Sequence, residues 1–152
     1  MKPYFFDSSA LVKRYIIETG TAWVQAVSTT PENRIYVASI TIVELVSAIA
    51  RRRRSGITES ALATAALEEV RFDFRFEFEI IDISPEVIKR AEEIGERHVL
   101  RGYDAIQLGC AMELNAALVA AGHRPITFVS ADLELNSAAA SEGLIVADPN
   151  TH

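Results

Sequence analysis

Residues 101–119 read Arg-Gly-Tyr-Asp-Ala-Ile-Gln-Leu-Gly-Cys-Ala-Met-Glu-Leu-Asn-Ala-Ala-Leu-Val, and this stretch decides the fold. From Ala105 onward nearly every side chain is small or apolar. A helix that is apolar almost all round belongs in a protein interior. Asp104 introduces this helix, and two interpretations of it stay open on this stretch alone. It is either an N-cap, since Asp is among the best acceptors for first-turn amides, or a functional acid at the rim of a pocket.

Composition sets the outer limits. The chain has 152 residues, of which 49% are hydrophobic and 24% charged, so we expect one globular domain spanning 1–152. No apolar run approaches the roughly 18 residues that span a bilayer, and no signal-peptide pattern opens the sequence. The single cysteine, Cys110, excludes an internal disulfide. We therefore expect a cytoplasmic protein without membrane contact.

The net charge bears on possible partners. At −6 it gives no general attraction for nucleic acid. An acidic chain that acts on a polyanion needs metal ions or a local basic patch to offset repulsion.

Short apolar runs separated by helical patterns predict the fold class. The predicted strands are 2–7, 35–38, 77–83, 126–129 and 144–147. The third follows a helix predicted to reach about Arg75, through a stretch in which phenylalanines alternate with charges. Strands that alternate with helices indicate an α/β domain with a mainly parallel sheet, and right-handed crossovers place helices on both of its faces.

Four acids are predicted at one edge of that sheet. Asp7 ends the first strand, and Asp132 lies just past the fourth. Glu44 is near the start of the helix that leaves the second strand. Asp104 begins a helix that runs down to the start of the fourth strand, so it too lies at the strands' carboxyl ends. Functional crevices of such sheets form at this edge.

Other acids are less well placed. Glu113 lies nine residues down the same helix, roughly 13 Å away at about 1.5 Å per residue, so it is excluded. Asp82 and Asp148 also lie at strand ends, but these strands are expected toward the sides of the sheet. They remain the main competitors for the site.

Carboxylates that converge on one crevice repel each other unless a cation lies among them. Hard oxygen ligands suit Mg²⁺ or Mn²⁺, whereas no Cys/His spacing here suits zinc. Such ions activate water and clamp in-line phosphoryl displacement. From spacing alone, metal-assisted phosphodiester hydrolysis and four unrelated helix caps are both open interpretations.

Four motifs then carry a resemblance. They are Phe5-Phe6-Asp7-Ser8-Ser9-Ala10-Leu11, the helix of Glu44, Tyr103-Asp104-Ala105-Ile106, and Val129-Ser130-Ala131-Asp132. In this order and on these elements they resemble a PIN domain, and within that family the chain is similar to VapC-type toxins of prokaryotic toxin–antitoxin systems. The resemblance covers essentially the whole chain. The Leu-Glu-Leu-Asn segment after Asp132 is less typical of the family.

The resemblance implies a three-layer αβα domain with strand order 3-2-1-4-5 and a Mg²⁺- or Mn²⁺-dependent endoribonuclease. It implies an RNA substrate, a cognate antitoxin and a homodimer. The catalytic and metal-binding acids carry over to Asp7, Glu44, Asp104 and Asp132. Ser130 stands at a supporting position, and Ser8 and Ser9 match small polar positions after the first acid.

Basic and aromatic residues suggest contact surfaces. Arg51 and Arg52, in a run of arginines, are candidate RNA contacts, although a helix C-terminus also favours cations. Arg101, just before the Asp104 turn, is a candidate phosphate contact. The phenylalanines of residues 72–78 are a candidate surface for an antitoxin or a second copy.

Two other functions stay open. One is a phosphatase that uses Asp7 as a covalent nucleophile, although such sites commonly have a second acid two residues on, where this chain has Ser9. The other is a catalytically silent RNA-binding or interaction module that keeps the fold.

Overall fold

The computed structural model describes all 152 residues and contains one five-stranded sheet. Its strands are Lys2–Phe6 (β1), Asn33–Ala38 (β2), Glu79–Ile81 (β3), Thr127–Val129 (β4) and Ile145–Ala147 (β5). Their order is β3-β2-β1-β4-β5, and every neighbouring pair is parallel. The predicted α/β class and strand order are confirmed. β1 is central, so its carboxyl end lies in the middle of the sheet edge.

Helices connect the strands. They are Ser8–Leu11 (α1), Thr21–Thr29 (α2), Thr41–Arg54 (α3), Ser60–Phe76 (α4), Pro85–Arg97 (α5), Gly102–Ala120 (α6) and Leu133–Ser141 (α7), with short 3-10 turns at Val12–Arg14 and Pro149–Thr151. None of the helices combines the length and the hydrophobicity that crossing a bilayer requires.

Each face of the sheet is covered by its own apolar core. Successive side chains of a strand point to opposite faces, and the fully buried Phe5 and Phe6 belong to different cores. Phe5 packs in the core shared with α5, α6 and α7. Phe6 packs in the core shared with α1, α3 and α4. The result is the three-layer αβα arrangement.

Helix α6 lies in the interior, as its composition predicts. Leu108, Cys110 and Ala111 are fully buried. A Cβ at Gly109 would come within 3.1 Å of the Val87 carbonyl oxygen, so this glycine lets α6 approach α5 closely. That packing fixes the position of the first turn of α6, which carries Asp104.

The phenylalanine stretch is where the predicted boundaries need correction. α4 continues to Phe76, and β3 is only Glu79–Ile81, shorter than the predicted 77–83. The helix ends where the amides of Glu77 and Phe78 both bond the Asp73 carbonyl. The Asp73 side chain is buried and accepts hydrogen bonds from Arg14 and Tyr15, which holds this turn in place.

Candidate active site

Asp7 lies just past β1 and is almost completely buried, with 2% exposure. As the N-cap of α1, its Oδ1 accepts a hydrogen bond from the Ala10 amide at 2.9 Å. The Ser9 hydroxyl donates to Oδ1 at 2.8 Å, and the Ser130 hydroxyl donates to Oδ2 at 2.8 Å. Burial raises the pKa of Asp7 to about 7, although these hydrogen bonds work in the opposite direction. The hydrogen bonds therefore fix this carboxylate in place, and its raised pKa means that it exchanges its proton near neutral pH.

Two serines connect Asp7 to the start of α7. Ser9 Oγ accepts the Ala131 amide at 3.0 Å, and Ser130 Oγ accepts the Asp132 amide at 3.1 Å. Both hydroxyls donate to Asp7, so each spans the gap between the end of β1 and the loop after β4. The two predicted supporting serines thus hold two acid-bearing segments in register.

Asp132 is the N-cap of α7. Its Oδ1 accepts hydrogen bonds from the amides of Glu134 and Leu135 at 2.9 and 3.1 Å. Asp7 and Asp132 are therefore both helix N-caps and acids at the sheet edge. The cap orients each carboxylate without removing it from the edge.

Asp104 has a different environment, and its interpretation as an N-cap is wrong. The helix begins at Gly102, with Arg101 as N-cap and no capping side chain. The extended backbone of Arg101 leads into the helix earlier than the sequence suggested, which leaves Asp104 in the first turn. Its carboxylate accepts no hydrogen bond from the chain and is half-buried.

Glu44 lies in the first turn of α3 and is held from two sides. Ser8 Oγ donates to Oε2 at 2.8 Å, so the third predicted serine also has a partner at the site. Gln107 Nε2 donates to Oε1 at 2.8 Å and to Thr41 Oγ1 at 2.9 Å. α6 therefore contributes both Asp104 and the amide that orients Glu44.

The sequence analysis missed Gln107 and Thr41. Gln107 is 1% exposed, and its Oε1 is buried without a hydrogen-bond partner. It lies three residues after Asp104, on the same face of the helix. An amide within an otherwise apolar helix, one turn from a candidate acid, is the signal that could have identified it.

Electrostatics couple the four acids. Burial raises the pKa of Asp104, and the nearby charges of Asp132 and Glu44 raise it further, while Arg101 lowers it. The charge of Asp104 in turn contributes to the raised pKa of Asp7. Asp104 therefore interacts with each of the other three acids, and we call Asp7, Glu44, Asp104 and Asp132 together the acid cluster.

The donor chemistry of the acid cluster is all oxygen and anionic, which fits Mg²⁺ or Mn²⁺. No three carboxylates, imidazoles or thiols of the chain, however, are arranged to hold one ion together. Side chains that repel each other are expected to stay apart until a cation neutralises them. The residues fit the metal by chemistry, and binding requires the carboxylates to draw together.

The competing acids lie elsewhere. Glu113 forms an ion pair with Arg90 of α5. Asp82 follows β3 and Asp148 follows β5, the two outer strands of the sheet. Asp148 caps the 3-10 turn at Pro149–Thr151.

A groove of about 450 Å³ adjoins the acid cluster. It begins at Ser8, Ser9 and Glu44 and follows α3 to Arg51 and Arg52. Arg52 is paired with Glu18 at 3.2 Å, whereas Arg51 is exposed and has no partner in the chain. The structure thus places two predicted basic residues beside the site.

Comparison with known families gives one match. The family model of the PIN domain matches residues 4–131. Among proteins with curated functions, none matches this sequence significantly.

Solved structures share the fold at low sequence identity. FitAcB from Neisseria gonorrhoeae superposes with a TM-score of 0.66 at 15% identity, over 96% of this chain and 97% of that one. VapBC2 from Rickettsia felis, bound to a promoter DNA fragment, gives 0.62 at 14% identity, over 96% and 98%. VapC20 from Mycobacterium tuberculosis, described as a toxin that cleaves the sarcin-ricin loop, gives 0.62 at 13%, over 93% and 96%.

Proposed function

The chain belongs to the PIN domain family, and on that premise we propose that it is a cytoplasmic, divalent-metal-dependent endoribonuclease and the toxin of a toxin–antitoxin pair. One observation supports this above the others. The acid cluster joins Asp104 with three other carboxylates that interact with it, at the carboxyl edge of a parallel sheet, where such folds bind their ligands. The toxins and toxin–antitoxin complexes that share the fold support the biological role.

Asp7, Glu44, Asp104 and Asp132 are the residues that would hold Mg²⁺ or Mn²⁺. When bound, such an ion supplies a Lewis acid and lowers the pKa of a coordinated water. Asp104, whose pKa is raised first by burial and then by the charges of Asp132 and Glu44, would be favoured in its charged form beside such an ion. The chain's own contribution is to fix Asp7 through Ser9, Ser130 and the Ala10 amide.

Hydrolysis requires water to attack phosphorus while the bond to the leaving oxygen breaks. The leaving oxygen keeps the electron pair and takes up a proton from solvent, and the attacking water gives a proton to solvent. Asp104 accepts no hydrogen bond within the chain, so its carboxylate is free to turn toward a bound ion. Glu44, held by Ser8 and Gln107, remains oriented throughout.

The phosphatase alternative is not favoured. A nucleophilic carboxylate must reach phosphorus, but Asp7 is 2% exposed and both of its oxygens accept hydrogen bonds. Ser9 occupies the position at which a second acid is expected, and its hydroxyl bonds Asp7 instead. The alternative of a catalytically silent module is tested by measuring RNA cleavage.

We expect the protein to cleave single-stranded RNA in Mg²⁺ or Mn²⁺ and to lose all cleavage in EDTA. Gel analysis of a labelled RNA pool measures this, with Asp82→Asn as an active control, because Asp82 lies beside an outer strand. Cleavage that persists in EDTA contradicts the proposal. A folded protein that cleaves no RNA in either metal supports the silent module.

Gln107→Leu should reduce cleavage about tenfold at nearly unchanged stability. The variant loses the hydrogen bond that orients Glu44, and a positioning contact costs on the order of 1–2 kcal/mol. It also removes a buried amide oxygen that has no partner, which offsets the lost bonds. Cleavage rates and thermal melts check both parts. Gln107→Glu is the matched control: it adds a like charge beside Glu44 and should be both less active and less stable.

We further propose that the chain forms a homodimer and binds an antitoxin. Phe72 and Phe76, one turn apart on α4, are 54% and 61% exposed, and their ring centroids are 5.0 Å apart. Such a pair of exposed rings favours burial against a partner. Light scattering should report a dimer that Phe72→Ser with Phe76→Ser converts to monomer. A parent protein that is monomeric at high micromolar concentration contradicts the dimer.

A further inference from the structure

The groove beside the acid cluster has a regular lining on one side. Glu44, Ser47, Ala48 and Arg51 all line it, and their spacing on α3 places them on one face of the helix. The short side chains of Ser47 and Ala48 leave an open channel between the acid and the arginine. Glu44 and Arg51 are seven residues apart, which is about 10 Å along the axis.

Tyr103 of α6 also lines the groove and is 61% exposed. Its hydroxyl makes no hydrogen bond within the chain. It lines the groove together with Ser8, Ser9 and Glu44, so the groove wall at the acid cluster includes an aromatic side chain. Val43, 63% exposed, lines the same groove. The groove therefore has an apolar and aromatic section that no part of this chain covers.

Charge is distributed unevenly along the groove. One end has Glu44 and the acid cluster, where a metal ion would be held. The other end has Arg51, whose guanidinium is unpaired, while that of Arg52 is paired with Glu18. The small side chains of Ser47 and Ala48 lie between them on α3, and the ring of Tyr103 lines the same groove. A metal site, an aromatic ring and a free cation in one groove provide partners for the phosphate, base and next phosphate of a nucleotide chain.

We propose that this groove binds the nucleotide adjacent to the cleaved phosphodiester of a single-stranded RNA, with its base against Tyr103 and its outer phosphate at Arg51. The proposal rests on the proposed endoribonuclease function and adds the residues that select an unpaired substrate. Only an unpaired base offers its face to an aromatic side chain. A volume of about 450 Å³ falls within the range of small-ligand sites.

Binding measurements test the proposal separately from cleavage. The probe is a fluorescein-labelled single-stranded RNA decamer, titrated in Mg²⁺ with Asp7→Asn protein so that it stays intact. Tyr103→Ala should weaken binding about tenfold, as expected for loss of one stacked base, and Tyr103→Phe should stay within about twofold. Arg51→Ala should weaken binding and lower the salt slope by about 0.7.

Matched controls come from the same helices. Arg53 lies about 180° around α3 from Glu44, so Arg53→Ala should leave binding and salt slope unchanged. Val119→Ala, at the far end of α6, is the control for Tyr103. A set of decamers, each lacking the base at one position, locates the contact. The difference in binding between the parent and Tyr103→Ala should vanish for one of these decamers only, because it has no base to stack on the ring.

Several outcomes overturn the proposal. Tyr103→Ala and Arg51→Ala proteins that bind the decamer like their parent exclude the groove as an RNA site, even if the unsubstituted protein cleaves RNA. Unchanged RNA binding with weakened binding of a labelled amphipathic arginine-leucine peptide assigns the groove to a protein partner instead. Conversely, a protein that cleaves nothing but shows the position-specific loss retains the groove and loses the nuclease function.

Discussion

Asp7→Asn is expected to reduce RNA cleavage by about three orders of magnitude, the scale on which single preorganised catalytic groups act. The substitution is almost isosteric and keeps an oxygen to accept the Ala10 amide. It removes the formal charge and one oxygen ligand from the centre of the sheet edge. Ser9 and Ser130 can rotate their hydroxyls to accept from the new amide, so the local fold is retained.

The same variant should be more stable than its parent in metal-free buffer, and the gain should grow with pH. Burial raises the pKa of Asp7 from 3.8 to about 7, so the folded state binds the proton more tightly than the unfolded state. The parent's free energy of unfolding therefore falls as pH rises from about 4 through 7. At about 1.4 kcal/mol per pKa unit, the full difference is on the order of 4 kcal/mol.

Thermal melts in EDTA at pH 5 and pH 8 measure this gain. We expect the gain to be clearly smaller at pH 5 than at pH 8, because only part of the pH range between the two pKa values has been crossed at pH 5. Asp82→Asn is the control and should follow the parent at both values. Full cleavage activity in the Asn variant would end the assignment of Asp7 to the metal site. A gain in stability that is equal at both pH values would contradict a raised pKa.

Topology explains why the four acids could be located from the sequence. Once strands and helices are assigned, the carboxyl edge of a parallel sheet is determined, and Asp7 and Asp132 follow directly from it. Asp104 requires one further step, because it precedes a helix rather than follows a strand. Asp104 lies in the first turn and not at the cap, because the chain enters the helix directly after the extended Arg101. No capping side chain marks that point in the sequence.

Topology alone could not predict which side chains form hydrogen bonds with each other. Gln107 and Glu44 are 63 positions apart and meet only because α3 and α6 both begin at the sheet edge. The phenylalanines of residues 72–78 alternate with other residues, which fits a strand. Phe72 and Phe76 are also four residues apart, which fits one face of a helix. The buried Asp73 accepts hydrogen bonds from Arg14 and Tyr15, and these contacts stabilise the helical form. Such long-range contacts leave no local pattern in the sequence.

Mn²⁺ is expected to raise the melting temperature of the unsubstituted protein, which is the second large effect. A ligand that binds only the folded state adds about 2.7 kcal/mol at a hundred times its Kd. For a chain of this size that is roughly 5–10 °C. The gain has a source in the structure, because burial and, to a smaller extent, neighbouring negative charges raise the pKa of Asp7 and Asp104, and a cation would favour their charged forms.

The pH dependence of this stabilisation distinguishes the acid cluster from weak surface binding. Metal must displace the proton that burial favours on Asp7, so the gain from Mn²⁺ should be larger at pH 8 than at pH 5.5. Asp104→Asn should lose most of the gain, while Asp82→Asn retains it. Identical melting temperatures across the whole Mn²⁺ titration would contradict a site built from these carboxylates. An equal gain in Asp104→Asn would place the ion elsewhere, because the carboxylate without hydrogen bonds would then take no part in holding it.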